Sequence, residues 1–427
     1  MDGKTLAVIA GLVLAYALVS RRLADSVLTP PLAFVIAGMV AGGGAGLGLG
    51  VLNLAPDHAA IHALAEITLI LVLFADATRI DLRVLRREAG LPLRLLGLGL
   101  PLTVALGTGV ALLVFPDLSI WEAALLGAVL APTDAALGQV VVNSERVPVK
   151  IRQALNVESG LNDGIALPIV LIFAGLAGMG EEGRSAGEWA LFTGEQLVLG
   201  PIAGIAVGYL GGKVATAARD HRWMGEAFER LGALAMALLS YALAEAIGGN
   251  GFIAAFVAGM FLGDAARGFT RSVHKFLEAE GALLMLLVFL LLGNVFAWPA
   301  LGELTPAIAI YALLSLTVVR MLPTSLSLLG AGLRPASHVF LGWFGPRGLA
   351  TFLYGLLIVE RSSAPNVSMI FTVAVTAVVF SVVAHGITAA PGAALYARVL
   401  RRAGDEATTS ERESVVEHPT RRALLRR

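Results

Sequence analysis

Thirteen apolar stretches, most of them about twenty residues long, follow one another along this chain of 427 residues. They lie near 5–20, 28–48, 59–78, 91–115, 119–143, 158–180, 191–215, 226–247, 250–264, 279–298, 304–328, 337–358 and 366–392. About twenty apolar residues are what a helix needs to cross the hydrocarbon of a bilayer. The pattern therefore predicts an all-α polytopic membrane protein with about thirteen transmembrane helices. Composition agrees: 57% of residues are hydrophobic and 15% charged, where a soluble domain carries about a quarter charged. The first stretch, Thr5 to Ser20, has Lys4 before it, Arg21 and Arg22 after it and no small-residue cleavage pattern. It reads as an uncleaved first span.

The connections between spans are lopsided in charge. With the N-terminus outside, the inner connections carry Arg21 and Arg22, then Arg79, Arg83, Arg86 and Arg87, then Arg146, Lys150 and Arg152. Lys213, Arg219 and Arg222 follow, then Arg267, Arg271 and Lys275, then Arg334 and the tail from Arg398. The outer side carries Lys4, Arg184 and Arg361. Cytoplasmic loops are the ones enriched in lysine and arginine, so the expectation is an inner-membrane protein with an outside N-terminus and a cytoplasmic C-terminus. Residues 1–397 form the membrane domain. Residues 398–427 alternate charges without apolar periodicity and read as a partly disordered cytoplasmic tail drawn to anionic lipid.

The 31 basic and 31 acidic residues balance, which suggests no nucleic-acid partner. With no cysteine, disulfides and thiolate chemistry are excluded. No phosphate-binding GxxxxGK[ST] loop and no catalytic metal constellation is present, so neither hydrolysis nor a cofactor is expected. A channel is weighed and set aside because no filter-like repeat appears. A non-transporting sensor is set aside for want of a sizeable output domain.

Two spans are interrupted near mid-depth. The fifth contains Pro132-Thr133-Asp134 and the twelfth Gly345-Pro346-Arg347-Gly348. Proline removes a backbone donor and clashes with the preceding turn, and freed backbone groups inside a membrane survive only where protein or a water-filled cavity satisfies them. A lone proline kink is common in membrane helices; a charged residue inside each break is not. The breaks lie seven spans apart, so the two helices run in opposite directions. An inverted repeat relating spans two to six with nine to thirteen produces that arrangement, and paired interrupted helices point to a central transport site. Asp134 and Arg347 can each compensate the end of an opposing half-helix.

Most acids, such as Glu122, Glu195, Glu245, Asp264 and Glu303, fall at span ends and need no special role; Asp76 is read in the same way. Asp134, Glu158, Asp163, Arg320 and Arg347 lie deeper or beside a motif. Charge balance pairs Glu158 with Arg320, a structural salt bridge, and places Asp134 near a half-helix N-terminus and Arg347. Asp163 is left as the carboxylate that takes up either a proton or a small cation; a salt-bridged structural network is the alternative for it. Oxygen ligands suit a hard monovalent cation, and Asp163, Ser159, Thr133 and a carbonyl at the break supply them. Asp134 and Glu158 complete the candidate cation-binding set. His385 in the thirteenth span reads as a packed residue.

The stretch from Ala131–Asp134 (APTD) through VPVKIRQALNVESGLNDGIALP resembles sodium/proton antiporters of the monovalent cation:proton antiporter superfamily, electroneutral NhaP/NHE-like branch. GNGFIAAFVAGMFLG, the arginine of span eleven and GWFGPRGLA resemble later signatures of that family in the same order. The resemblance implies an NhaA-like antiporter fold with two crossed discontinuous helices, spans five and twelve, in a homodimer. It implies an elevator-like movement exchanging sodium or lithium for one proton, with potassium as the alternative cargo. It also implies that Asp163 carries cation and proton and that Asn162 is its partner. Ser159 and Thr133 are then ligands, Asp134 supports the crossing, and Glu158 pairs with Arg320.

Overall fold

The computed structural model describes residues 3–23, 26–43, 49–52, 54, 58–78, 90–134, 137–178, 186–265, 270–361, 364–402 and 411. All regular structure among these residues is helical. Arg79, Arg83, Arg86, Arg87, Arg184 and Arg267, and the tail after Arg402 apart from Glu411, lie outside the described residues.

The helices in chain order are α1 (Gly3–Leu23), α2 (Pro30–Ala41), α3 (His58–Thr78), α4 (Gly90–Val114), α5 (Ile120–Val129) and α6 (Gln139–Val142). Next come α7 (Val149–Gly178) and α8, which runs from Ala186–Ile205 through a π-turn at Ala206–Leu210 into Gly211–Asp220. Then follow α9 (Glu226–Ala246), α10 (Gly251–Ala265) and α11, which joins Thr270–Leu291, a π-turn at Leu292–Ala297 and Trp298–Gly302. The last four are α12 (Pro306–Ser327), α13 (Pro335–Trp343), α14 (Leu349–Arg361) and α15 (Val367–Arg402).

Among the described residues, eight helices are long and apolar enough to cross a membrane: α1, α4, α7, α8, α9, α11, α12 and α15. Four shorter apolar helices accompany them, at Pro30–Ala41, Ile120–Val129, Gly251–Gly263 and Leu349–Glu360. The chain is thus a multi-pass helical membrane protein.

Local chemistry explains where the shorter helices begin and stop. Ser119 and Glu122 form a capping box that opens α5, with Glu122 N donating to Ser119 Oγ at 3.2 Å and Ser119 N to Glu122 Oε2 at 2.9 Å. The helix ends at Val129, ahead of Pro132, which disfavours helix in the residue before it. Pro335 opens α13 at a position where a missing N–H costs nothing. That helix stops at Trp343, three residues before Pro346.

Packing is close where glycines allow it. On α10, a Cβ at Gly259 would lie 2.3 Å from the Phe74 carbonyl oxygen of α3, so these two backbones touch directly. Around them α2 packs on α11, α4 on α5 and α12, α5 on α7, α12 on α13, and α14 on α15.

Two boundaries differ from the hydropathy pattern. The Glu158–Asp163 cluster does not open a helix; α7 already begins at Val149. Lys150 and Arg152 hide this start from an apolar window, yet Arg152 is buried and its Nε donates to the Val147 carbonyl at 3.1 Å, so the helix tolerates it. Likewise α15 continues through Pro391 to Arg402, past the expected start of the tail.

Candidate functional site

The two breaks meet. Between α5 and α6, residues 131–134 are non-helical; between α13 and α14, residues 345–348 are non-helical. The backbone N–H of Asp134 donates to the Pro346 carbonyl at 2.8 Å, and Leu349 N donates to Asp134 Oδ2 at 2.6 Å. Asp134 therefore sits at the positive N-terminus of α14. In the reverse sense, Arg347 Nη1 donates to the carbonyls of Ala131 (2.7 Å) and Pro132 (3.1 Å), just beyond the negative C-terminus of α5. Each break supplies the other's counter-charge, and both side chains are buried. Gly348 must lack a side chain, because a Cβ there would fall 2.1 Å from Asp134 Oδ2.

The expected pairing of Asp134 with α14's N-terminus is thus present. The bonds of the Arg347 guanidinium run to main-chain carbonyls, Ser315 O at 3.3 Å among them. Ser315 closes the first half of α12, whose backbone is interrupted at Thr317 (φ −108°, ψ −95°). No proline or glycine marks this interruption at its own position, so sequence reading missed it.

Helix α7 brings its polar face to the break of the fifth span. Thr133 Oγ1 lies 3.0 Å from Ser159 Oγ and accepts from Asn162 Nδ2 at 2.6 Å. Asp163, the next residue on α7, is also buried. Its main-chain oxygen accepts the Tyr354 hydroxyl of α14 at 2.6 Å. Thr133, Ser159 and Asn162 are therefore gathered in one place, with Asp163 the next residue along α7. Glu158 and Arg320 form an ion pair at 2.6 Å between Oε1 and Nη1, with side chains 3% and 2% exposed. Gly345 leaves room for it: a Cβ there would meet Arg320 Nε at 2.3 Å. Asp134 and Glu158 thus each give one oxygen to a group of the protein itself, namely Leu349 N and the Arg320 guanidinium.

Tyr354, Ser315, Gly345, Gly348 and Ser381, whose Oγ accepts from Arg347 N at 2.7 Å, were not singled out by sequence as individual contributors. For the glycines the Gly-Pro-Arg-Gly signal was available. For Tyr354, Ser315 and Ser381 no local pattern distinguishes them from ordinary helix residues.

The family model for the transmembrane sodium/hydrogen exchanger matches residues 8–394. Among curated relatives, the protein named K(+)/H(+) antiporter NhaP of Alkalimonas amylolytica is 29% identical over 88% of this chain and 63% of its own length. Na(+)/H(+) antiporter 2 of Zygosaccharomyces rouxii is 28% identical over 56% of this chain and 31% of its own. The chain thus spans just under two thirds, or less, of the length of these relatives. Among solved structures, the sodium proton antiporter MjNhaP1 from Methanocaldococcus jannaschii at pH 8 superposes with a TM-score of 0.72 at 20% identity. That match covers 92% of this chain and 99% of the other. A family match across nearly the whole membrane part, carried on the same fold, makes this chain a member of the transmembrane sodium/hydrogen exchanger family.

Proposed function

We propose that the protein is a secondary antiporter exchanging a monovalent cation, sodium or lithium, for one proton at Asp163. The observation that carries this reading is the meeting of Thr133 with Ser159 and Asn162 beside the crossing of two interrupted helices, with the buried Asp163 next to Asn162 on α7. Hydroxyls and a carboxylate are hard oxygen donors, which suit a small monovalent cation. A buried carboxylate is a poor home for a bare charge, so it holds either a proton or a cation, and the two compete. That competition couples the opposing flows. Asn162 is a neutral amide, leaving one titrating carboxylate on this turn, which supports a one-for-one electroneutral exchange. Asp134, Arg347 and the Glu158–Arg320 pair hold the scaffold around the exchanged ion.

The count of thirteen spans is supported by adding α3 and the four short helices to the eight long ones, with α5–α6 and α13–α14 each taken as one interrupted span. The packing of α2 on α11 and of α3 on α10 supports the inverted repeat, since a two-fold relation between spans two to six and nine to thirteen interchanges these two contacts. Crossed spans five and twelve, the homodimer, the elevator-like movement and the inner-membrane, N-outside orientation belong to the same proposal.

Potassium is the second reading. It is favoured by the names of relatives such as NhaP of Alkalimonas amylolytica and by the open space beside Gly160, where an added Cβ would meet nothing within 4 Å. The test is cation-driven proton flux in proteoliposomes, wild type against Asp163→Asn, under sodium, lithium and potassium. Sodium or lithium flux in wild type with a silent variant supports the reading. Flux with potassium alone selects the second reading, and exchange by Asp163→Asn overturns the role of Asp163.

A further inference from the structure

In an unbroken helix the N–H of Arg347 would donate to the carbonyl of Trp343, four residues back. The break separates that pair, and two side chains of α15 take its place. Ser381 Oγ accepts from Arg347 N at 2.7 Å, and His385 Nε2 lies 2.8 Å from the Trp343 carbonyl oxygen. Ser381 and His385 are i and i+4 on one face of α15, and both are buried. They also touch each other, with Ser381 Oγ 3.2 Å from His385 Nδ1. The imidazole stacks on Trp343 at 5.1 Å between centroids, and Trp343 Nε1 donates to Thr388 Oγ1 one turn further on. A polar link thus runs from the C-terminus of α13 to Arg347 in the break ahead of α14, satisfying backbone groups that neither half-helix can satisfy alone.

We propose that His385 is a positioning residue that holds the break between α13 and α14. A carbonyl only accepts, and both ring nitrogens face one: Nε2 the Trp343 oxygen at 2.8 Å and Nδ1 the Ser381 main-chain oxygen at 2.9 Å. The Ser381 hydroxyl beside Nδ1 accepts from Arg347 N, so the ring is tied to both sides of the break. Trp343 and Phe344 close the remaining faces. Loss of the ring therefore loosens the link that sets where Arg347 and Asp134 meet, and exchange slows.

The functional half of this inference rests on the antiport reading; the structural half does not. The first measurement is deuterium uptake by peptides spanning residues 343–349. Replacing His385 with alanine should speed uptake there by roughly tenfold at pH 8, the scale of one lost buried hydrogen bond. Uptake unchanged from wild type overturns the positioning role whether or not the protein transports. The second is rescue by a conservative variant. His385→Gln retains an amide donor for Trp343 O, so it should return uptake over residues 343–349 and the rate of cation-driven proton flux to within about threefold of wild type, where His385→Ala does not. A glutamine variant as damaged as the alanine variant overturns the hydrogen-bonding role. Ser381→Ala replaces His385→Ala if the latter is not recovered folded, with the same expected uptake. A wild type with no cation-driven flux refutes the antiport reading alone, leaving the deuterium result to decide this one.

Discussion

Replacing Arg320 with methionine isolates the Glu158 carboxyl in a site where its side chain is 3% exposed. A buried carboxylate that loses its partner has two options, to remain charged in low dielectric or to take up a proton. Remaining charged typically costs 3–5 kcal/mol, as when one partner of a buried pair is removed. Protonating an ordinary glutamate at pH 7 costs about 3.7 kcal/mol, at 1.36 kcal/mol per pH unit above its usual value. The cheaper route caps the loss, so Arg320→Met should destabilise the fold by about 3–4 kcal/mol at pH 7. The sign with pH follows from the proton count. In the variant the folded state binds a proton that the unfolded state does not, so stability falls as pH rises and recovers by about 1.4 kcal/mol per unit on acidification. Removing both charges as Glu158→Leu with Arg320→Met should return stability to within about 1 kcal/mol of wild type, because an apolar pair leaves nothing unpaired. Thermal unfolding in detergent between pH 5.5 and 8 reads all three proteins, with a drop of roughly 5 °C expected for the single variant at neutral pH. A single variant as heat-stable as wild type at pH 7.5, or a double variant as damaged as the single, refutes this account of the pair.

Gly348→Ala should displace Asp134 from Leu349 N, because the new Cβ would fall 2.1 Å from Asp134 Oδ2. A loss of about 1–2 kcal/mol in thermal stability, the scale of a lost helix cap, together with slowed exchange is expected. Thr133→Val keeps the shape but removes the hydroxyl that meets Ser159 and Asn162. It should raise half-saturation for the cation by roughly tenfold, measured in the proteoliposome assay, while leaving thermal stability within about 1.5 kcal/mol of wild type.

Much of the architecture could be read along the chain because it is local. A membrane span is a run of about twenty apolar residues and a break is a proline or glycine inside it, so both are written in consecutive letters. Pro132 and Pro346 announced their interruptions in this way, whereas Thr317, which breaks α12 without either residue, did not. Buried charge could also be read, since few charges fall within apolar runs and they must compensate one another. Glu158 and Arg320 could be matched by sign alone, and the structure joins them at 2.6 Å.

Tertiary structure decided which group answers which. Leu349 N reaches Asp134 across 215 positions in sequence, and Arg347 reaches Ala131 across 216. No periodicity encodes such a distance, because it depends on how a dozen helices stack. The same holds for His385. From the sequence it is one histidine in an apolar helix; in the fold its ring stands where the break left a carbonyl without its helical donor. The sequence by itself determined that this chain lives in a membrane and where two of its helices fail, at Pro132 and Pro346. Only the assembled helices determined what fills each failure, because a backbone group stranded in lipid takes whichever partner packing brings within hydrogen-bond reach.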